Sequence, residues 1–212
     1  MSAKRYIYHF THVKHLKSII HCNALWSDAR MRQWGGVEQD VGMSHIKERR
    51  LQRPVSCNPA TYVGQYVPFY FCPRSVMLYI LHKGNHPQVS YKGGQRPLIH
   101  LVADLDQVLD WTEQHELLWA FSFSNASSFY VEFCNNRGRL HELNWQAIMA
   151  TDFRHRDIQE QKQAELLVYD YFPLQLIQEI GVLDGRVRDV TAEILRPLPL
   201  ADRVIVRREW YY

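Results

Sequence analysis

Cysteine is scarce in this chain, and its spacing supports no zinc-ribbon framework. Cys22, Cys57, Cys72 and Cys134 include no CxxC pair, so reduced thiols are the simple reading. Ten glycines and nine prolines in 212 residues are too few for a low-complexity chain. Long hydrophobic runs are also missing. Val67-Pro68-Phe69-Tyr70-Phe71 is among the longest, against the about 20 apolar residues that a membrane-spanning helix needs. The first residues, Met-Ser-Ala-Lys-Arg before Tyr6-Ile7-Tyr8-His9, contain no apolar leader, so the expectation is a cytoplasmic protein with no membrane partner. GxGxxG, P-loop, HExxH, GxSxG and kinase signatures are all lacking, which leaves the common cofactor and hydrolase classes without local support.

What is present reads as one globular domain over residues 1–212. The chain is 46% apolar and 22% charged, and at this size about 70% of the surface can be buried. The net charge of +3 hides an asymmetry. Residues 1–100 hold 14 Lys/Arg against 4 Asp/Glu, and residues 101–212 hold 11 against 18. A positive face of this kind suits phosphates, of a nucleotide or of a nucleic acid, although solvated charge alone explains it equally well.

Strands are expected at 5–10, 66–71, 98–105, 117–123, 164–169 and 204–206. Helices are expected from Thr11 as N-cap to Cys22, over 45–52 behind Ser44, from Ser75 to the stop at Lys83-Gly84-Asn85, and over 174–180 and 186–195. Residues 27–43 read as an active or disordered loop, and 124–163 show weak periodicity. Without regular βαβ alternation, the fold class is α+β with a mostly antiparallel sheet.

A few polar residues stand out. His9, His12 and His15 form an HxxHxxH run. Since His9 falls in a strand and the others begin a helix, capping and surface roles suit them better than a metal site. Glu165 lies inside the apolar run Ala164–Tyr169, where a carboxylate is costly unless paired. Arg49-Arg50 is the densest basic spot and offers bidentate phosphate binding.

In order and spacing, several segments together resemble one family. They are His9-Phe10-Thr11-His12, Ile46-Lys47-Glu48-Arg49-Arg50, Tyr66–Phe71, Arg74–Tyr79, Leu98-Ile99-His100-Leu101, Ala164–Tyr169 and Trp210-Tyr211-Tyr212. Over residues 5–212 the chain resembles the DarT toxins of DarTG toxin–antitoxin systems. The resemblance implies a compact, PARP-like ADP-ribosyltransferase fold. It also implies transfer of ADP-ribose from NAD⁺ to a base of single-stranded DNA, thymine favoured and guanine the alternative. NAD⁺ is then a substrate, no metal is involved, and the partner is a macrodomain antitoxin.

Residue by residue, the resemblance places His9, Phe10 and Thr11 on NAD⁺. It puts Ser18 and Trp26, where the family usually has Gly and Leu, at the border of the same pocket. Arg50 matches the active-site arginine and also contacts NAD⁺, while Glu165 matches the catalytic glutamate. Arg49 and a stretch over 115–163 would meet DNA, the latter through Trp119, Asn125, Tyr130, Arg154 and Arg156. Rings that stack on bases and arginines that meet phosphates are what a single strand requires. Two other classes remain open on the residues alone: a transferase acting on protein or RNA, and a non-catalytic nucleic-acid-binding module. A metal-dependent hydrolase built on the histidines is the weakest alternative.

Overall fold

The structure, a computed structural model, describes residues 4–35 and 41–212, the side chain of Ser44 excepted. Its strands are β1 (Tyr6–His12), β2 (Ala24–Trp26), β3 (Tyr66–Tyr70), β4 (Leu98–Asp104), β5 (Trp119–Ser122), β6 (Phe133–Cys134), β7 (Glu165–Tyr169), β8 (Tyr171–Pro173), β9 (Glu179–Val182) and β10 (Val204–Val206). Eight of them form one sheet in the order β10-β9-β4-β1-β3-β7-β5-β6, and β2 pairs with β8. The pairings are antiparallel except β9 with β10, so the α+β expectation holds.

Helices flank the sheet: α1 (Leu16–Cys22), α2 (Asp28–Gln33), α3 (Ser44–Gln52), α4 (Val76–Lys83), α5 (Leu105–Gln114), α6 (Trp145–Met149), α7 (Arg156–Gln161) and α8 (Gly185–Leu195). Among the described residues none is long and apolar enough to cross a membrane. The main core gathers Ile7, Val67, Phe69, Leu101, Phe121, Leu166 and Val168 from the central strands. Every residue of β4 is buried, and its side chains are apolar except for His100 and the terminal Asp104.

One irregularity creates the site. β1 pairs with β4 over seven residues, from Tyr6↔Asp104 to His12↔Leu98. On its other side β1 meets β3 at the single register pair Tyr8↔Tyr70. β3 is instead committed to β7, from Tyr66↔Tyr169 to Tyr70↔Glu165. The sheet therefore parts between the second half of β1 and the first half of β3.

Local signals are obeyed where they are strong. The Ser75 hydroxyl accepts from the Leu78 N–H at 3.2 Å, and Gly84 closes α4 in the left-handed region at φ 63°. Three expectations fail. Thr11 is not an N-cap, because pairing with β4 carries β1 through His12; the His12 imidazole caps the following turn by accepting from the Lys14 N–H at 3.1 Å. Residues 174–180 are not a helix. After a short turn at Leu174–Leu176 the chain enters β9, held between β4 and β10. The segment 27–43 contains a helix, α2, capped by the Ser27 hydroxyl. The capping role expected of the Ser44 side chain lies outside the described residues, and the backbone puts Met43 at the N-cap of α3.

Candidate active site

A cavity of about 300 Å³ occupies the parting of the sheet. Two helical stripes line it. From α1 and the turn before it come His15, Ser18, Ile19 and Cys22; from α3 and its cap come Met43, Ile46, Lys47 and Arg50. Both sets follow i, i+3, i+4, i+7 spacing, one face of a helix turned to the cavity. That phase separates Arg50 from Arg49. Arg50 shares the face of Ile46 and Lys47 and is buried, whereas Arg49 is exposed.

The Arg50 guanidinium donates twice to Glu165, from Nη1 to Oε1 at 3.1 Å and from Nη2 to Oε2 at 2.9 Å. Glu165 is 4% exposed and Arg50 8%, so the pair is withdrawn from water. Burial opposes the arginine's charge, but the carboxylate beside it outweighs that cost and holds its pKa above the ordinary value. The apolar run around Glu165 thus hides a carboxylate that is paired, as its burial requires. At the first residue of β7, the Glu165 backbone N–H donates to the Ser122 hydroxyl at 3.0 Å.

Tyr70 lies directly across the ladder from Glu165 and so shares its face of the sheet. Its ring stacks nearly parallel on Phe10, with centroids 6.1 Å apart. Burial, and secondarily the Glu165 charge, push the Tyr70 hydroxyl well above the usual range and keep it protonated. On the other lip of the parting, His9 Nδ1 bonds the Pro68 carbonyl at 2.9 Å. A carbonyl can only accept, so Nδ1 carries the proton and Nε2 is left as an acceptor. Burial lowers the His9 pKa, with the Pro68 bond opposing it, and favours the neutral ring. The Thr11 hydroxyl and His15 Nδ1 share a hydrogen bond of 2.8 Å. Nearby, Lys47 and Asp28 form an ion pair at 3.3 Å.

The comparisons with known proteins match this geometry over nearly the whole chain. The profile of the family described as "ssDNA thymidine ADP-ribosyltransferase, DarT" covers residues 8–212. The chain belongs to the DarT family. A DNA ADP-ribosyl transferase of Thermus aquaticus is 38% identical over 208 residues, which are 97% of this chain and 88% of the relative. The solved structure of Thermus sp. 2.9 DarT in complex with ADP-ribosylated ssDNA superposes with a TM-score of 0.88 at 35% identity, covering 98% of this chain and 96% of that one. The same DarT in complex with NAD⁺ gives 0.81 at 33% identity, with 98% of each chain covered. The chain is accordingly an NAD-dependent DNA ADP-ribosyltransferase, with NAD⁺ as substrate.

Apart from Trp119, the residues that the DarT resemblance singles out fall into two groups. His9, Phe10, Thr11, Ser18, Trp26, Arg50 and Glu165 all line the cavity, and Asn125 joins them from the wall opposite. Asn125 is there as a brace. Its amide donates to Gln163 Oε1 at 3.2 Å, and its oxygen accepts from the Ser127 N–H at 2.9 Å. Ser18 bonds the His15 carbonyl at 2.9 Å. The Trp26 ring packs against protein, tilted on Tyr171 at 5.3 Å and edge-on to Trp34 at 5.0 Å.

Arg49, Tyr130, Arg154 and Arg156 are at the surface, with Tyr130 93% exposed. Arg154 is engaged by Asp152, with Nε donating to Oδ1 at 2.9 Å. Trp119 requires a correction. It is 7% exposed in β5, its ring stacked against Phe121 and its backbone paired with Val168, so it is core and offers no face to a nucleobase. Tyr70 was not singled out, although its place at the end of a buried strand, with a hydroxyl to satisfy, was a usable signal. Lys162 was also missed. Its buried ammonium donates to the Ile148 carbonyl at 2.7 Å and reaches Cys72 Sγ at 3.5 Å, which ties α6 and the end of β3 to the segment leading into Glu165.

Proposed function

We propose that the cavity brings NAD⁺ and one thymine of single-stranded DNA together, with Glu165 and Arg50 as the catalytic pair. The observation that carries this reading is the buried, bidentate Arg50–Glu165 bridge at the point where the sheet parts. The C1′–N bond to nicotinamide breaks, neutral nicotinamide leaves, and C1′ bonds to a ring nitrogen of the base, whose proton is released. A carboxylate is suited to stabilise the positive charge that develops on the ribose. It is also the group able to take the proton, because Arg50 is held protonated by its partner. Arg50 then fixes the carboxylate's orientation and adds positive charge beside the substrate phosphates.

His9, neutral and with Nε2 as acceptor, suits a ribose hydroxyl, and Thr11 with His15 extends that polar wall. Phe10 and Tyr70 supply a flat apolar surface for nicotinamide, and Ser18 and Trp26 border the cofactor. Asn125 braces the wall on the DNA side, and Arg49, Tyr130 and Arg156 meet the strand beyond it. Among the described residues no group of three His, Cys, Asp or Glu side chains is placed to hold a metal ion. A modified template base blocks replication, so we place this enzyme beside a macrodomain antitoxin that removes the ADP-ribose.

The test is incubation with NAD⁺ and short oligonucleotides of varied sequence, with adducts mapped by mass. A single ADP-ribose on thymine, lost with Glu165→Ala, is expected. Adducts on guanine would overturn the base, and labelling of protein or RNA with none on single-stranded DNA would overturn the acceptor. Growth arrest on expression, relieved by co-expression of a macrodomain hydrolase, tests the partner.

A further inference from the structure

Two segments run outward from the cavity and meet again at the surface. Arg50 lines the cavity, and Arg53 follows it by three residues at the C-terminal cap of α3. Asn125 and Ser127 line the opposite wall, and Phe129 follows Ser127 by two residues, at most about 7 Å of extended chain. At the meeting point the Arg53 guanidinium lies over the Phe129 ring, 5.6 Å from its centroid. Tyr130 sits edge-on to Phe129 at 4.9 Å.

This cluster is built against the usual preference of a surface. Phe129 is 75% exposed and Tyr130 93% exposed, so two adjacent rings stand in water. Arg49, one turn before Arg53, and Arg53 itself form no ion pair among the described residues, and Arg53 Nε is buried without a hydrogen-bond partner there. Of the carboxylates on the loop side, Glu160 accepts from the Ser128 hydroxyl at 2.8 Å and Glu132 pairs with Arg139 at 3.2 Å. Exposed rings beside uncompensated guanidinium groups, continuous with the reaction cavity, suit a single nucleic-acid strand. Base faces stack on rings, and phosphates meet the cations.

We propose that Arg53, Phe129 and Tyr130 form a stacking platform for the nucleotide flanking the reacting thymine, so that they hold the strand through the base on that side of the reacting position. This rests on the reading above that single-stranded DNA enters the Glu165 cavity. The strand turns over the Arg53–Phe129 pair as it leaves, and the flanking base lies against the exposed rings.

The test crosses the substrate with the protein. Oligonucleotides carry one reactive thymine, with the base on one side or the other replaced by an abasic residue. With the parent enzyme, one of the two replacements is expected to raise KM roughly tenfold, the scale of one lost base–ring stack. In the double variant Phe129→Leu/Tyr130→Leu that penalty should fall to near onefold, and in Phe129→Trp it should be kept. Arg53→Gln should flatten the dependence of log affinity on log salt by about 0.7, the share of one phosphate contact on a single strand. Both rings are exposed, and an unchanged melting temperature confirms an intact fold. The same abasic penalty in parent and double variant would overturn the platform. If the parent forms no adduct on any oligonucleotide, the DNA-acceptor reading fails instead.

Discussion

Glu165 is tied to both chemistry and stability, and Glu165→Gln separates the two. The substitution keeps the side chain's shape and removes its charge, leaving Arg50 buried and bonded to a neutral amide. Breaking one partner of a buried pair costs about 3–5 kcal/mol, because the remaining charge stays desolvated. For a domain of this length each kcal/mol moves Tm by about 2–4 °C, so the variant should melt roughly 6–20 °C lower. It should still fold at 25 °C, since domains have about 5–15 kcal/mol in hand. Transfer should fall by about 10²–10³ for the lost electrostatic stabilisation, and further for the lost base. The decisive variant is Arg50→Met/Glu165→Leu, in which no charge is stranded. It should recover most of the lost Tm while remaining inactive. Calorimetry and a mass-based transfer assay read both quantities. Glu165→Gln melting with the parent, or the double variant melting below Glu165→Gln, would refute the claim that the pair is desolvated and mutually dependent.

Three further outcomes follow from the same geometry. His100 is fully buried, with Nε2–H on the Pro73 carbonyl at 3.0 Å and Nδ1 without a hydrogen-bond partner among the described residues, and burial lowers its pKa from 6.5 to about 4. The unfolded chain therefore binds the proton first: stability is fully present above pH 6.5 and falls by about 3 kcal/mol as pH drops toward 4, a slope that urea titrations should find reduced in His100→Gln. The Tyr212 hydroxyl donates to the Arg74 and Ser75 carbonyls at 3.0 and 3.3 Å, so Tyr212→Phe should cost about 0.5–1.5 kcal/mol in chemical denaturation. Arg156→Gln should flatten the salt dependence of single-strand binding by about 0.7, whereas Arg154→Gln should change it less because Asp152 competes for that guanidinium.

Much of the fold was legible because the signals were local. The strands at β1 and β3 are short and rich in aromatic residues, and those at β4 and β7 are short and mostly aliphatic. α4 carries its own cap and its own stop. What failed depended on distant partners. Residues 174–180 have enough leucine and isoleucine for a helix, but after the turn at Leu174–Leu176 the end of the stretch is drawn into β9, between β4 and β10. Gly181 marks the reason, since a Cβ there would collide with the ring of Trp210, about 30 residues later in the chain. Thr11 looked like a cap because the helical spacing begins just after it, yet the ladder with β4 continues to His12, two residues past the expected end of the strand.

The site was less legible than the fold, for a related reason. Glu165 could be suspected from its sequence alone, as a carboxylate among apolar neighbours. What makes it tolerable there is Arg50, 115 positions away in sequence. Neither residue specifies the other locally; the parting of the sheet does, by turning one face of α3 toward the first residue of β7. The choice between Arg49 and Arg50 was in fact available from helix phase, since 43, 46, 47 and 50 fall on one stripe and 49 does not. Trp119 shows the opposite case. The DarT resemblance placed it among residues that meet DNA, but an aromatic on a strand flanked on both sides is packed before it is free to bind. The two most exposed rings among the described residues, Phe129 and Tyr130, sit on a loop whose inner end is already fixed in the cavity wall. Exposure, and not residue type, separates the aromatics that hold this fold together from those able to meet a partner.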